Sequence, residues 1–323
     1  MPHRVQHDDG QHCYWAPESY HAIPSLSNWY LCEFSGILIT PNKRRQDMEQ
    51  PVQQSWSRRG IAMGVRWLWM LGLWCYVSTT VWAAGSSVQL IATTVQNIPV
   101  KIIRVNMNDE NVKVTGMLAK QQRGRTEPLE SMVARARPTA AVTGTFFGTR
   151  SYLPVGDIVI EGRMVHFGGI GTALCITPDN QVEFVDVQRN RREDWSAYNF
   201  VIRSGPRLVR AGRIGVYPRA EGFRDRNLLR PAWRLAVGLT RENHLLFVGT
   251  RKPITLRQMA LVMHRLGCVD AINLDAGSST GMYYRGQILM RPLRRLTNLV
   301  LVYENREQFE QRKYSILPLR IRR

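Results

Sequence analysis

Residues 255–280 constrain the fold more than any other stretch, because a complete helix, its stop signal, a buried strand and a small-residue loop follow one another without a break. Thr255 and Gln258 stand at capping-box spacing, Met259, Val262, Met263 and Leu266 share one helical face, and Gly267 supplies the stop. Val269, Ala271, Ile272 and Leu274 then form an apolar run that ends on Asp275, where Ala276 and Gly277 permit tight backbone geometry. Ser278, Ser279 and Thr280 add three hydroxyls beside backbone amides, a pattern that can form an anion-binding nest. A carboxylate placed this way either caps a turn or belongs to a site.

The rest of the chain alternates short apolar runs with turn signals. Residues 100–105 and 112–118 predict strands, 126–136 a helix with Pro128 in its first turn, and 139–145 a small-residue strand. Four hairpins are expected: 158–167 turning at Glu161-Gly162-Arg163, 173–187 at Pro178-Asp179-Asn180, 234–248 near Arg241-Glu242-Asn243, and 282–290 at Arg285-Gly286. Residues 298–303 complete the set as a closing strand. Strands outnumber helices and the long helix lies between strands, which predicts an α+β fold: a single domain with a mixed, mostly antiparallel β-sheet and a few packed helices. Two stretches read as surface loops. Residues 188–198 are polar around Trp195, and 213–232 carry Arg219, Arg224, Arg226 and Arg230, either as a solvated basic loop or as a flap over an anionic substrate.

The amino-terminal part has a different character. Arg58, Arg59 and Arg66 precede an uncharged apolar segment, residues 67–82, and Val81 and Ala83 are small residues suited to cleavage before Ala84. That is the layout of a signal peptide at 63–83; an uncleaved amino-terminal anchor is the alternative, and the only membrane association expected. Residues 1–62 have no hydrophobic periodicity and read as a leader outside the fold, with Met63 or Met48 as the expected start. Ser57-Arg58-Arg59 partly fits a twin-arginine export signal. The exported part is then 84–323, with its structured core at about 98–304, and its expected location is periplasmic or secreted.

Nearly all of the net charge of +19 falls in this exported part, mostly as Arg. Arg matches phosphate and carboxylate geometry in a bidentate way, so the partners expected are phosphorylated or anionic glycans, unless the charge only solubilises the surface. Nucleic acid is not expected, because no zinc-finger, helix-turn-helix or RNA-binding pattern is present. Cys175 and Cys268 lie in apolar runs of the exported part, either bridged or as two buried thiols. No Cys or His cluster has zinc-site spacing, and no cofactor is expected. A divalent ion near Asp275 stays open, since one carboxylate among hydroxyls is too thin a ligand set to require one.

Four segments converge on one chemistry. Thr143 to Asp157 puts a glycine turn and Phe146-Phe147 after a strand; Ile202 to Gly212 puts Ser204-Gly205-Pro206 between two apolar runs; Arg234 opens the strand RLAVGL; and NLDAGSSTG closes the set. In order and content they resemble the phosphodiester glycosidase family, relatives of the enzyme that uncovers mannose 6-phosphate by removing a capping N-acetylglucosamine. The resemblance covers nearly all of the exported part. Two positions depart from the family pattern: Thr143 stands where Asn is common, and Ala276 where the first Gly of the last loop is common.

The resemblance implies cleavage of a sugar from a phosphodiester, which develops oxocarbenium character at the anomeric carbon while negative charge grows on the phosphate. Asp275 is then the nucleophile or general base, with Asp157 as second carboxylate if two are used, or otherwise a turn residue after Gly156. Asn273, two residues before Asp275 and so on the same face, orients the carboxylate or a sugar hydroxyl, or is structural. Arg234, Arg203, Ser204 and the Gly277, Ser278, Ser279 and Thr280 loop are expected at the phosphate. Thr143, Gly144 and Phe146 are expected at the sugar, with Phe147 in the core and Asp270 ending the helix-to-strand turn. The function expected is an exported hydrolase acting on envelope or extracellular polysaccharide. A non-catalytic phosphoglycan-binding protein and a glycosyl-phosphate transferase are the alternatives.

Overall fold

Short apolar strands, punctuated by residues with left-handed backbone, dominate residues 85–318, which are those that the computed structural model describes. Four hairpins have two-residue loops with positive φ at both positions: Gln96-Asn97, Glu161-Gly162, Ala211-Gly212 and Arg285-Gly286. Such loops match the right-handed twist of the strands they join. All four expected hairpins form, and Val88–Val95 with Ile98–Asn106 adds another that the sequence reading did not include. The leader and signal segment expected at 1–62 and 63–83 lie outside the described residues.

The expected α+β fold with mostly antiparallel strands is the observed one, and the strands divide among three sheets. The first has seven strands in the order Val88–Val95, Ile98–Asn106, His244–Ile254, Ala232–Thr240, Cys268–Asn273, Arg207–Arg210, Arg213–Ile214. The second runs Gln287–Met290, Met282–Tyr284, Ala140–Thr143, Asn298–Tyr303, Lys113–Leu118, and the third Arg163–His166, Ile158–Ile160, Phe200–Ser204, Thr172–Ile176, Val182–Asp186. Every pairing between these strands is antiparallel.

One apolar core draws on all three sheets: Ile103, Val237 and Leu274 meet Val142, Val114 and Val300, and both groups meet Leu174, Phe200 and Ile202. The opposite face of the first sheet is also apolar, and helix Leu256–Arg265 covers it with Met259, Val262 and Met263 against Ala236, Val248 and Ala271. Central strands buried on both faces read as nearly continuous apolar runs. Helices Leu129–Ala136 and Arg306–Ile316 pack together on the second sheet, with Met132, Leu299, Tyr303 and Phe309 at their contact.

The helix that leads toward Asp275 is capped as its sequence requires. The Thr255 hydroxyl accepts from the Gln258 amide at 3.2 Å, and the Gln258 side chain accepts from the Thr255 amide at 2.9 Å. In the first helix, by contrast, Pro128 is the residue before the first turn, so the helix begins at Leu129 and not within 126–128. Cys175 and Cys268 sit in different sheets as buried free thiols, which removes the bridged alternative. Loop 188–198 has no regular element, and Trp195 pins it to the interior. We predict that Thr255→Ala lowers stability by about 1 kcal/mol in urea unfolding without altering the far-ultraviolet circular dichroism of the folded state.

Candidate active site

Asp275 lies where two sheets meet. Leu274, just past the end of strand Cys268–Asn273, donates its amide to Leu235 at 2.8 Å within the first sheet. The Asp275 amide then donates to the Gly144 carbonyl at 2.9 Å, at the end of a strand of the second sheet. Gly144 must be glycine, because a Cβ there would lie 2.1 Å from the Asn298 side-chain oxygen. That oxygen accepts from the Thr145 amide and so fixes the backbone on which Asp275 rests. Thr143 ties the same strand to the loop after Asp275: its hydroxyl donates to the Ser279 carbonyl at 2.7 Å and accepts from the Gly281 amide at 2.9 Å. Ala276 has φ −143°, extended backbone open to any residue, while Gly277 takes the left-handed conformation at φ +61°. Alanine is therefore compatible with the tight loop at 276, and the glycine that the loop requires is at 277.

A cavity of about 530 Å³ opens above Asp275. Phe146 and Phe147 form one wall, Phe223 to Asp225 and Leu228 another, and Arg234, Gly277, Ser278 and Arg294 are among the residues that line it around Asp275. Phe146 meets Phe223 edge to face at 5.9 Å, so part of the 213–232 loop is a wall of the cavity. Of that loop's arginines only Arg224 lines it. Asp225 also lines it, with its carboxylate accepting from the Asn227 amide at 2.9 Å.

The Asp275 side chain is 2% exposed, and burial pushes its carboxyl up to about 6. The Arg294 guanidinium, the Ser279 hydroxyl and the Ala276 amide hold it from rising further. Arg294 Nη2 lies 3.5 Å from Asp275 Oδ2, Arg294 Nε donates to the Ser279 hydroxyl at 2.6 Å, and the guanidinium sits over the Phe147 ring at 4.4 Å. The sequence reading missed Arg294. Its one signal was the basic run Arg291, Arg294, Arg295 between two strands, which does not tell the three apart.

Several expected site residues are committed elsewhere. Arg203 and Asp157 are fully buried, do not line the cavity, and face each other at 3.5 Å. Asp157 also accepts from the Gly168 and Gly169 amides and from the Trp195 indole, while Arg203 donates to the carbonyls of Gly171, Val187 and Gln188. This pair anchors loops, because two opposite charges out of water must satisfy each other and every remaining donor. Arg234 does line the cavity, yet it is 2% exposed, and its Nε and Nη2 donate to the carbonyls of Ile254, Leu228 and Arg230. With no carboxylate partner among the described residues, burial lowers its guanidinium to about 10. Asn273 does not reach the Asp275 carboxylate; its amide donates to the Leu274 carbonyl at 2.7 Å. Ser204 is buried at the start of the Ser-Gly-Pro turn and does not line the cavity. In the last loop the Ser279 and Thr280 amides close turns onto Ala276 and Gly277, and Ala276, Gly277 and Ser278 line the cavity while Ser279 and Thr280 do not. Phe147 is 8% exposed, so it serves both core and wall. Asp270 lies within its strand and pairs with Arg207.

The fold and this site define an antiparallel α+β protein with one buried carboxylate in a cation-lined cavity. The sequence matches the phosphodiester glycosidase family over residues 136–303, and the chain belongs to that family. Solved structures share the fold, among them the two that follow. The catalytic domain of zebrafish N-acetylglucosamine-1-phosphodiester alpha-N-acetylglucosaminidase, auto-inhibited by its pro-peptide, is 18% identical with a TM-score of 0.56, over 67% of this chain and 82% of that one. A hypothetical protein from Synechocystis is 17% identical with a TM-score of 0.57, over 67% of this chain and 61% of that one, less than two thirds of its length. A search among curated proteins returned no match. Among the described residues no group of three His, Cys, Asp or Glu could hold a metal ion, and no helix is long and apolar enough to cross a membrane.

The anchoring pair supplies a test of this division of roles. Asp157→Ala leaves Arg203 charged and unpaired in the interior, and we predict a loss of about 3–5 kcal/mol of stability in urea unfolding. A loss of activity without loss of stability would return Asp157 to the chemistry.

Proposed function

We propose that the protein is an exported hydrolase that cleaves a sugar-1-phosphodiester linkage in envelope or extracellular polysaccharide. The observation that carries this reading is Asp275, buried at the base of the cavity with the Arg294 guanidinium beside it, in a chain of the phosphodiester glycosidase family. Water replaces the phosphodiester oxygen at the anomeric carbon, and the phosphate departs as a monoester anion. That leaving group is already stable as an anion, so the reaction needs less help from a general acid than an ordinary glycoside does. One ionised carboxylate facing the anomeric carbon, as nucleophile or as base for water, is enough to assist the oxocarbenium-like transition state.

The surroundings suit each half of such a substrate. Phe146 and Phe223 offer apolar ring surface to a sugar, while the cationic side of the cavity faces the phosphate. The low polarity that raises Asp275 also strengthens every charge interaction with a bound substrate. The two departures from the family pattern favour activity over binding alone, since Ala276 keeps a backbone that alanine adopts freely and Thr143 braces the loop from below. Export rests on the apolar segment 67–82 and its cleavage signal before Ala84.

Because Asp275 works as the carboxylate, kcat/KM should fall as pH drops through about 6, where its proton returns. Asp275→Asn should lower kcat/KM by about 10²- to 10⁴-fold and abolish that acid limb, measured as free sugar released from a panel of sugar-1-phosphodiesters. An Asn variant as active as the parent would remove Asp275 from the chemistry.

A further inference from the structure

We propose that Arg294 is the residue that receives the substrate's phosphate, and so the determinant of specificity for a charged diester over a neutral glycoside; this rests on the hydrolase reading above. Of the arginines expected at the phosphate, Arg203 is sealed in the interior and Arg234 is spent on three backbone carbonyls. Arg224 lines the cavity from an exposed loop position. Arg294 differs from all three. Its side chain is 35% exposed, it lines the cavity beside Asp275, and among the described residues no protein group accepts from its Nη1.

Its plane is fixed before any ligand arrives. The Phe147 ring supports one face at 4.4 Å, and the Ser279 hydroxyl takes the Nε hydrogen at 2.6 Å. A guanidinium held this way keeps the Nη1 and Nη2 edge for an incoming anion, with little further loss of rotamer freedom. The Nη2 contact with Asp275 Oδ2 is long, at 3.5 Å, and is the weaker of its two polar contacts. Both line the cavity, with the Arg294 side chain 35% exposed and the Asp275 side chain 2% exposed, so the two charges stand side by side there and the cation is the more open of the pair. A glycosyl phosphodiester fits that arrangement with its phosphate oxygens on Arg294 and its anomeric carbon toward Asp275. The run Arg291-Pro292-Leu293-Arg294-Arg295 places the guanidinium there because the Leu293 amide donates to the Ser278 carbonyl at 2.8 Å, joining the two loops.

Calorimetric titration of the purified protein with inorganic phosphate and with dimethyl phosphate tests the assignment without requiring turnover. We expect Arg294→Gln to weaken both by about 10- to 100-fold and Arg294→Lys to fall in between, with the thermal midpoint of unfolding unchanged when it is read at a pH well below 6, where Asp275 is protonated. On a sugar-1-phosphodiester the same Gln variant should lose kcat/KM mainly through KM. Parental affinity for both probes in Arg294→Gln, or no binding of either probe to the parent, would overturn the proposal. Equal weakening in Arg294→Gln and Arg294→Lys together with a lowered midpoint would also overturn it, since that marks a structural role. Phosphate binding that needs Arg294 in a parent that releases no sugar would instead sink the hydrolase reading and leave this assignment standing.

Discussion

Keeping the Asp275 carboxylate in an interior where only 2% of it meets solvent has a desolvation cost that nearby groups must offset. The offset comes from a loop that returns from elsewhere in the chain. Strand Cys268–Asn273 delivers Asp275, the Gly144 carbonyl holds its amide, and the segment between Gln287–Met290 and Asn298–Tyr303 brings Arg294 beside it. Neither sheet alone can do this, because the Asp275 backbone is bonded to the first at Leu235 through its neighbour and to the second at Gly144. The shared core of Ile103, Leu274, Val142 and Val300 fixes the distance between those two sheets. Packing at native density transmits small displacements, so the geometry at Asp275 depends on apolar residues far from it.

The arginine-rich composition acquires a second meaning in this light. Among the described residues three arginines, Arg203, Arg207 and Arg234, are buried, and their guanidinium groups tie loops by donating several hydrogen bonds each. Arg203 secures three carbonyls and Asp157, Arg234 secures the carbonyls at 228, 230 and 254, and Arg207 joins Asp186 to Asp270. Five donors in a rigid fork suit this task better than an ammonium does. The wall formed by residues 222–228 therefore owes its position partly to Arg234 beneath it. Arg234 thus acts on the cavity's shape, and Arg294 on its charge.

Much of the fold was legible because its signals are local. Two-residue turns, the Thr255 capping box and the glycine stop each act within a few residues, and the hairpins followed from them. The division into three sheets was not legible, since it depends on pairings such as Ala236 with Asn273 and Leu299 with Thr143 that join distant segments. Helix Arg306–Ile316 escaped notice because only Phe309 and Ile316 along it are buried, too few to set a periodic pattern. Strand Val88–Val95 is an edge strand whose residues are mostly part-exposed or exposed, so its sequence lacks the alternation that marks a strand. At the site, Asp275 was legible as the polar end of an apolar run. Arg203 and Asp157 were misplaced because sequence does not distinguish a charge that meets solvent from one that meets its opposite inside.

Burial raises the Asp275 carboxyl and the Arg294 guanidinium beside it opposes that rise. Titration of its side-chain carboxyl carbon by NMR, assigned by comparison with Asp275→Asn, measures this directly. The midpoint should lie near 6 in the parent and higher in Arg294→Gln, because removing the adjacent cation leaves the desolvation less opposed. A midpoint near the ordinary 3.8, unmoved by the loss of Arg294, would contradict it.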